Sequence, residues 1–458
     1  MPIATVNPAT GETEKTFEPH TAAEVETRIA RAHAAFTQLK GTTFAQRAEW
    51  MSAAADLLDA DVEPLAEILT REMGKPIAAA RAEVRKCAKG MRFYAEHAEA
   101  FLADEPLDDP SRVGASRAVA RYQPLGVVLA VMPWNYPLWQ VVRFAAPALM
   151  AGNTGLLKHA SNVPQSALYL DALYTRGGFP EGAFGTLLIG AAEVAAVIED
   201  PRVRAVTLTG SEPAGRSVAS IAAAQVKKSV LELGGSDPFI VMPSADLDAA
   251  VATAVDARTV NNGQSCISAK RFLVHDEVYD SFVPRFAAAM AALRVGNPLD
   301  EQTQVGPLAT SGGRDELVEL VDDARAHGAD ILTGGEVPAG PGWFYPPTVI
   351  AGVTPAMRLH LEEAFGPVAT LYRVHDIDEA LEIANGTDFG LSSSVWTNDV
   401  AERERFERDL DAGAVFVNGM TISYPELPFG GVKNSGFGRE LAAAGIREFC
   451  NLKTVWEA

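Results

Sequence analysis

"RAVTLTGSEPAG", Arg204–Gly215, decides the fold class. An apolar run closes on Gly210, and Pro213, a residue favoured in the first turn of a helix, follows three residues later. The stretch reads as a strand passing through a tight turn into a helix. The same pattern recurs around it. "VVLAVM" (127–132), "TGLLKH" (154–159), "GTLLIG" (185–190) and "KKSVLELGG" (227–235) are short apolar runs that end in glycine or polar residues. Helical segments such as "SALYLDALYTR" (166–176) and "AAEVAAVIE" (191–199) separate them. That alternation predicts βαβ units, a parallel sheet and an α/β fold. Ligands of such sheets sit at the carboxyl ends of the strands. The polar residues there are Asn135, Lys158, Ser211 and Glu232.

Outward from this region, the first hundred residues read as helical. "TAAEVETRIARAHAAF" begins at Thr21 with Glu24 three residues on, a capping-box signature. "QRAEWMSAAADLLDA" (46–60) and "AAARAEVRKCAKGMRFYAEHAEAF" (78–101) fit further helices, and an acidic, proline-containing linker spans Leu102 to Gly114. A second α/β block runs from about Pro238 to Pro428, and the tail "REFCNLKTVWEA" reads as a final strand.

The 458 residues allow two or three domains. Against 39 Lys plus Arg stand 59 Asp plus Glu, a net charge of -20, which argues against nucleic-acid or anionic-membrane partners. Cys87, Cys266 and Cys450 are few, odd in number and far apart, as in a reducing compartment, and the eight His show no metal spacing. No signal peptide is visible, so the cytoplasm is the expected location. Pro124 to Val142 carries no charge, but Pro133, Asn135, Pro137 and Gln140 make it a buried strand running into a polar loop and not a membrane span.

Chemistry enters with "NNGQSCISAK", Asn261–Lys270. Cys266 reads as a small buried hydrophobe or as a nucleophile on a polar turn. Gly210 and Ser211, at a strand end before a helix, suit a phosphate or an ordinary turn. Glu232 is a solvated carboxylate or a general base. Asn135 caps a turn or donates to an oxyanion. Lys158 alone is a surface lysine. Together they suit thiolate attack on a carbonyl beside a bound nucleotide.

In this combination "PWNYP", "TGSEPAG", "LELGGSDP", "NNGQSC" and "EEAFGP" make the chain resemble the NAD(P)-dependent aldehyde dehydrogenases, from "VNPATGE" to "FGGVKNSGFGRE". "LLKHASNVP", "ELPFGGVK" and "GIREFCNLKTVW" are most similar to the bacterial NADP-linked succinate-semialdehyde branch. The resemblance implies a Rossmann-like cofactor domain (1–112 and 125–235), an α/β catalytic domain (236–430) and a small β oligomerisation element (113–124 and 431–458), assembled as a homodimer or homotetramer. It implies Cys266 as nucleophile, Glu232 as base and Asn135, with the Cys266 backbone N–H, as oxyanion donors. Trp134, Lys158, Ser161, Gly210, Ser211, Glu363 and Phe365 are the implied cofactor contacts. NADP is preferred over NAD because Ser161 stands where NAD-preferring relatives carry a glutamate, and His159 is a candidate extra donor. Arg143 and Ser423 are the implied seat of a distal substrate carboxylate. Two departures stand out. Val260 occupies a position where some relatives carry a second arginine, leaving Arg258 as the nearest, and Ser268 replaces a cysteine that forms a redox switch in others. The alternatives are an aldehyde dehydrogenase of broader range and a cofactor-independent Cys–Glu hydrolase or acyltransferase.

Overall fold

The computed structural model describes residues 2–458. Arg204–Gly215 forms the end of a strand, Val203–Thr209, and the start of a helix, Glu212–Ala224, with Ser211 as the helix N-cap. The strand belongs to a six-stranded sheet ordered Gly436–Phe437, Lys228–Glu232, Val203–Thr209, Val127–Met132, Thr154–His159, Phe184–Thr186. The last five are parallel. Their unbroken apolar character follows from cover on both faces: Val127, Val128, Leu129 and Ala130 are fully buried. The strand order reverses at Val127–Met132, which has Thr154–His159 on one side and Val203–Thr209 on the other. Such a reversal opens a crevice at the carboxyl ends, where Trp134, Asn135, Gly210 and Ser211 follow.

A seven-stranded sheet forms the second block, ordered Asp330–Thr333, Thr348–Ala351, Val368–Val374, Arg271–His275, Pro238–Val241, Ser393–Trp396, Val415–Val417. All neighbours are parallel except the first pair. A three-stranded antiparallel sheet joins Cys450–Glu457, Arg117–Pro124 and Glu105–Pro106. The terminal segment is not one unit. Gly436–Phe437, expected within 431–458 of the oligomerisation element, pairs antiparallel with Leu231 and Glu232 and so extends the six-stranded sheet. Glycine is required at this contact: Gly436 has φ 119°, and a Cβ there would lie 2.0 Å from the Leu231 carbonyl oxygen.

Helices α1 (Ala22–Leu39), α2 (Phe44–Ala60), α3 (Val62–Met73) and α4 (Ile77–Phe101) precede the sheets. Thr21 and Glu24 form the expected capping box on α1. Four further helices flank the first sheet: α5 (Trp139–Ala151), α6 (Pro164–Arg176), α7 (Val194–Glu199) and α8 (Glu212–Ala224). The polar loop after Val127–Met132 is short, since α5 already begins at Trp139.

No side chain on α5 itself caps its N-terminus. Glu83 of α4 does so from outside: its Oε1 accepts from the backbone N–H of Leu138 at 2.9 Å and of Trp139 at 3.0 Å. A carboxylate suits the positive end of the helix dipole. Its second oxygen pairs with Lys75, and both residues are buried. Removing one partner of a buried pair strands the other charge. Glu83→Ala is therefore expected to cost about 3–5 kcal/mol, read as a lowered urea midpoint. Lys75→Met combined with Glu83→Gln should lose less than Glu83→Ala alone, because a neutral amide oxygen still accepts from the α5 amides.

Candidate active site

Helix α9 (Leu247–Thr259) leads into the turn that carries Cys266. Asn261 and Asn262 are left-handed, at φ 57° and 59°, and Gly263 follows at φ 73°. Asparagine tolerates this region better than other residues with a Cβ. Its side chains also fasten the turn. Asn262 Nδ2 donates to the carbonyls of Gly74 (2.9 Å) and Pro307 (3.0 Å), and its Oδ1 accepts from Gly306 N (2.8 Å). Asn261 Nδ2 donates to the Asn135 carbonyl at 2.8 Å, tying the turn to the crevice of the first sheet. Gly263 is irreplaceable on space as well as φ, because a Cβ there would sit 2.4 Å from the Gly366 carbonyl carbon. Asn135 Nδ2 donates to the Gln264 carbonyl at 3.2 Å, which leaves one amide hydrogen free. The Cys266 backbone N–H has no protein acceptor among the described residues. The two donors implied for an oxyanion thus lie on either side of one hydrogen-bonded junction.

The double glycine of "LELGGSDP" is explained by close approach. A Cβ on Gly234 would lie 2.5 Å from Glu363 Oε2, and one on Gly235 would lie 2.7 Å from the Cys266 carbonyl oxygen. Glu232, at the end of its strand, is 1% exposed, and neither carboxylate oxygen has a hydrogen-bond partner. Burial and then the neighbouring Glu440 carboxylate push its carboxyl well above the usual range, against the opposing pull of Arg143 and Arg439. Burial also raises the Cys266 thiol to about 12, although Arg143 and Lys270 favour the thiolate. The two groups lie within electrostatic reach of each other.

A cavity of about 90 Å³ opens at Cys266 and is walled by Lys86, Trp139, Gln140, Arg143, Val260 and Ser423, among others. Arg143 lies in this wall but is not a free anchor. It is ion-paired through Nε with buried Glu440, its guanidinium lies 4.6 Å from the Phe429 ring centre, and Nη2 donates to Thr209 Oγ1 at 3.5 Å. Nη1 has no protein acceptor among the described residues. Arg258 does not reach the cavity. It is fully buried, with Nη2 donating to the Gly263 carbonyl (2.6 Å) and Ser268 Oγ (2.9 Å), so it braces the cysteine turn. Ser423 Oγ accepts from Trp139 Nε1 at 2.9 Å and from Lys86 Nζ at 2.8 Å. Sequence reasoning missed Lys86 and Glu440. Glu440 lay within the quoted "FGRE", but nothing local to it signals an ion pair with α5.

A second, larger groove of about 610 Å³ is lined by Trp134, Gln264, Leu320, Glu363 and Phe365, among others. The Trp134 and Phe365 rings meet edge to face, with centroids 5.7 Å apart. Glu363 pairs with Lys270 at 3.0 Å, and the same ammonium donates to the Ser265 and Cys266 carbonyls at 2.8 and 2.6 Å. Lys158, Ser161, Gly210 and Ser211 do not line this groove. They stand along the carboxyl edge of the first sheet, where Gly210 N donates to the Glu232 carbonyl at 3.0 Å. Ser211 spends no side-chain bond on capping α8. Lys158 has no ion-pair partner among the described residues, and burial lowers its ammonium, opposed by Glu193. His159 is no phosphate donor. Its Nε2 donates to the Pro137 carbonyl at 2.8 Å and its Nδ1 accepts from Ala160 N at 2.9 Å, and burial drops it to about 4. Among the described residues no cluster of metal-ligating side chains occurs.

The family model "Aldehyde dehydrogenase family" matches residues 1–455. The chain is 65% identical to the succinate-semialdehyde dehydrogenase [NADP(+)] of Mycobacterium avium over 457 residues, covering 100% of this chain and 97% of that protein. It is 65% identical to succinate-semialdehyde dehydrogenase [NADP(+)] 1 of Mycobacterium tuberculosis over 458 residues, the whole of both. Among solved structures, the succinic semialdehyde dehydrogenase of Streptococcus pyogenes in complex with NADP+ superposes with a TM-score of 0.96 at 36% identity, covering 99% of each chain.

The raised thiol has a measurable consequence. A thiol raised by burial is protonated below its pKa, so its thiolate fraction grows about tenfold per pH unit below that point. Alkylation of Cys266 by iodoacetamide in the cofactor-free protein, followed by peptide mass spectrometry, should rise without a plateau from about pH 7 to about pH 10. A plateau near neutrality would mean that the cations beside Cys266 outweigh its burial.

Proposed function

The chain belongs to the aldehyde dehydrogenase family, and on that premise we propose that it oxidises succinate semialdehyde, or a similar short carboxylated aldehyde, to the acid with NADP. One observation carries the substrate class: a single small cavity has the Cys266 thiol and the cationic or hydroxyl groups of Arg143, Lys86 and Ser423 in its wall. An aldehyde carbonyl placed at the thiol leaves room for little more than a short chain before a carboxylate meets those groups.

The cofactor reading rests on fit. The larger groove presents Trp134, Glu363 and Phe365, the N-terminus of α8 leaves free amides behind Gly210 and Ser211, and Lys158 lacks a carboxylate partner. Glu363 would hold the nicotinamide ribose, and Lys158 with Ser161 would face the adenosine ribose and its 2′-phosphate. When bound, NADP supplies the hydride acceptor that takes the substrate adduct on Cys266 to a thioester. The chain's own residues do the rest. Cys266 must lose its proton to attack, and the Arg143 and Lys270 cations favour its thiolate. Asn135 Nδ2 and the Cys266 N–H donate to the oxyanion, each donor being worth about 3 kcal/mol in comparable sites. Glu232 then takes a proton from the water that hydrolyses the thioester. A cofactor-independent Cys–Glu hydrolase would leave the larger groove and the free α8 terminus without a role.

We also infer a homodimer or homotetramer, because Cys450–Glu457 is an edge strand with Leu452 and Trp456 exposed. The cytoplasm is the inferred location, supported by three free cysteines. No described helix is long and apolar enough to cross a membrane.

Initial rates on aldehydes of three to six carbons, with and without a distal carboxylate and with each cofactor, test the reading. Succinate semialdehyde with NADP should give the highest kcat/KM, and a flat panel would reject the substrate class. Cys266→Ala should abolish turnover while NADP binding, read by fluorescence titration, persists. Glu232→Gln should slow deacylation and leave a thioester on Cys266 for mass spectrometry to trap. Normal turnover in that variant would remove Glu232 from the role of base. Ser161→Glu should move the kcat/KM ratio toward NAD, since a carboxylate there repels a 2′-phosphate at distances well inside the roughly 8 Å screening length of physiological salt.

A further inference from the structure

Lys86 on α4 is the cation that the substrate cavity does not neutralise. Arg143 lies in the same wall, but its charge is offset by the ion pair with Glu440. Lys86 makes no ion pair with any described carboxylate. Its Nζ donates to Ser423 Oγ at 2.8 Å and lies 4.5 Å from the Trp139 ring centre, which leaves ammonium hydrogens over for a ligand. Ser423 Oγ already accepts two hydrogen bonds, from Lys86 and Trp139 Nε1, so its own hydrogen is free to be donated. Val260 contributes only a hydrocarbon surface to the same cavity, and Arg258 is turned away into the cysteine turn.

We propose that Lys86, acting with the Ser423 hydroxyl and Arg143 Nη1, binds the distal carboxylate of the substrate and is the residue that makes this cavity select for an anion. The inference rests on the carboxylated-aldehyde reading above and assigns the charge that enforces it. A carboxylate entering the cavity completes an ion pair that the protein leaves open, whereas a neutral chain end leaves a half-buried ammonium on one hydroxyl and one ring face. Burial and, second, the Arg143 guanidinium lower Lys86 to about 8, with Lys75 acting in the same direction and Cys87 and Glu83 opposing. The groups that act on Lys86 are Arg143 and Trp139 from α5, Glu83 and Cys87 buried behind it on α4, Lys75 ahead of that helix, and the hydroxyl of Ser423. The cation is therefore present below about pH 8 and lost above it.

The test compares succinate semialdehyde with butanal, which shares the carbonyl but lacks the carboxylate, in wild type, Lys86→Gln and Lys86→Arg from about pH 6.5 to about 9.5 with saturating NADP. Lys86→Gln should lower kcat/KM for succinate semialdehyde about ten- to a hundred-fold, the scale of a lost charge-assisted bond, mainly through KM. Butanal should change less than about threefold, which also reports that the variant is folded. In wild type the succinate semialdehyde to butanal ratio should fall above about pH 8, a comparison in which the titrations of Cys266 and Glu232 cancel. Lys86→Arg should keep the preference and abolish that fall. If Lys86→Gln lowers both aldehydes equally, or if the wild-type ratio is flat with pH, the proposal is wrong. A wild type with no preference for the carboxylated aldehyde at any pH would instead reject the substrate class itself. A preference that survives Lys86→Gln would reject only the role of Lys86.

Discussion

The site depends first on the Glu83 carboxylate beneath the N-terminus of α5. Two unpaired amides and the positive end of a helix dipole are held by one buried oxygen, and Lys75 balances the charge from behind. That contact fixes α5 against α4. Arg143 and Trp139 stand on the first helix, and Glu83 and Lys86 stand less than one turn apart on the second. The wall of the cavity is therefore set by a pairing that never touches its contents. From α5 the constraint passes on: Arg143 reaches Glu440 in the C-terminal segment, and Glu440 is the carboxylate that most raises Glu232 after burial.

The electrostatics follow from burial more than from charge count. A chain with net charge -20 keeps two cations in the wall of one small cavity, because distant acids are screened while local groups in a low dielectric are not. The same burial raises the proton affinity of both Cys266 and Glu232. The unpartnered oxygens of Glu232 and the open donors of Asn135 and Cys266 are buried polar groups whose hydrogen-bonding capacity the protein leaves unfilled. Such groups cost stability, and the packed turn around Asn261, Asn262 and Gly263 offsets that cost through contacts on every side.

Much of the fold was legible because it is written in contiguous residues. Apolar runs closing on glycine marked the parallel strands, Thr21 and Glu24 marked a helix start, and "NNG" before Cys266 marked a turn. The strand-end residues Asn135, Ser211 and Glu232 stood out for the same reason. The places where sequence reasoning failed are of another kind. His159 looked like a donor beside Lys158, but α/β packing turned its ring onto the Met132 and Pro137 carbonyls. Arg258 looked able to reach the substrate, but helix α9 aims it at its own turn. Gly436–Phe437, placed by resemblance within the 431–458 oligomerisation element, pairs at the edge of the first sheet.

By itself the sequence determined the α/β class and the turn that presents Cys266, both of which depend on backbone preferences and periodicity within a few residues, while the thiol, amide and carboxylate set around it was implied by resemblance to a family. Only the tertiary structure decided which charges meet. Lys86 and Ser423 are 337 residues apart in the chain, and Glu83 meets Trp139 across 56. Whether a lysine is paired, and hence whether it holds a free charge for a ligand, depends on which distant segments fold against it. No local pattern encodes that distance, so the unpaired lysine in the cavity wall becomes visible only once the chain has closed around it.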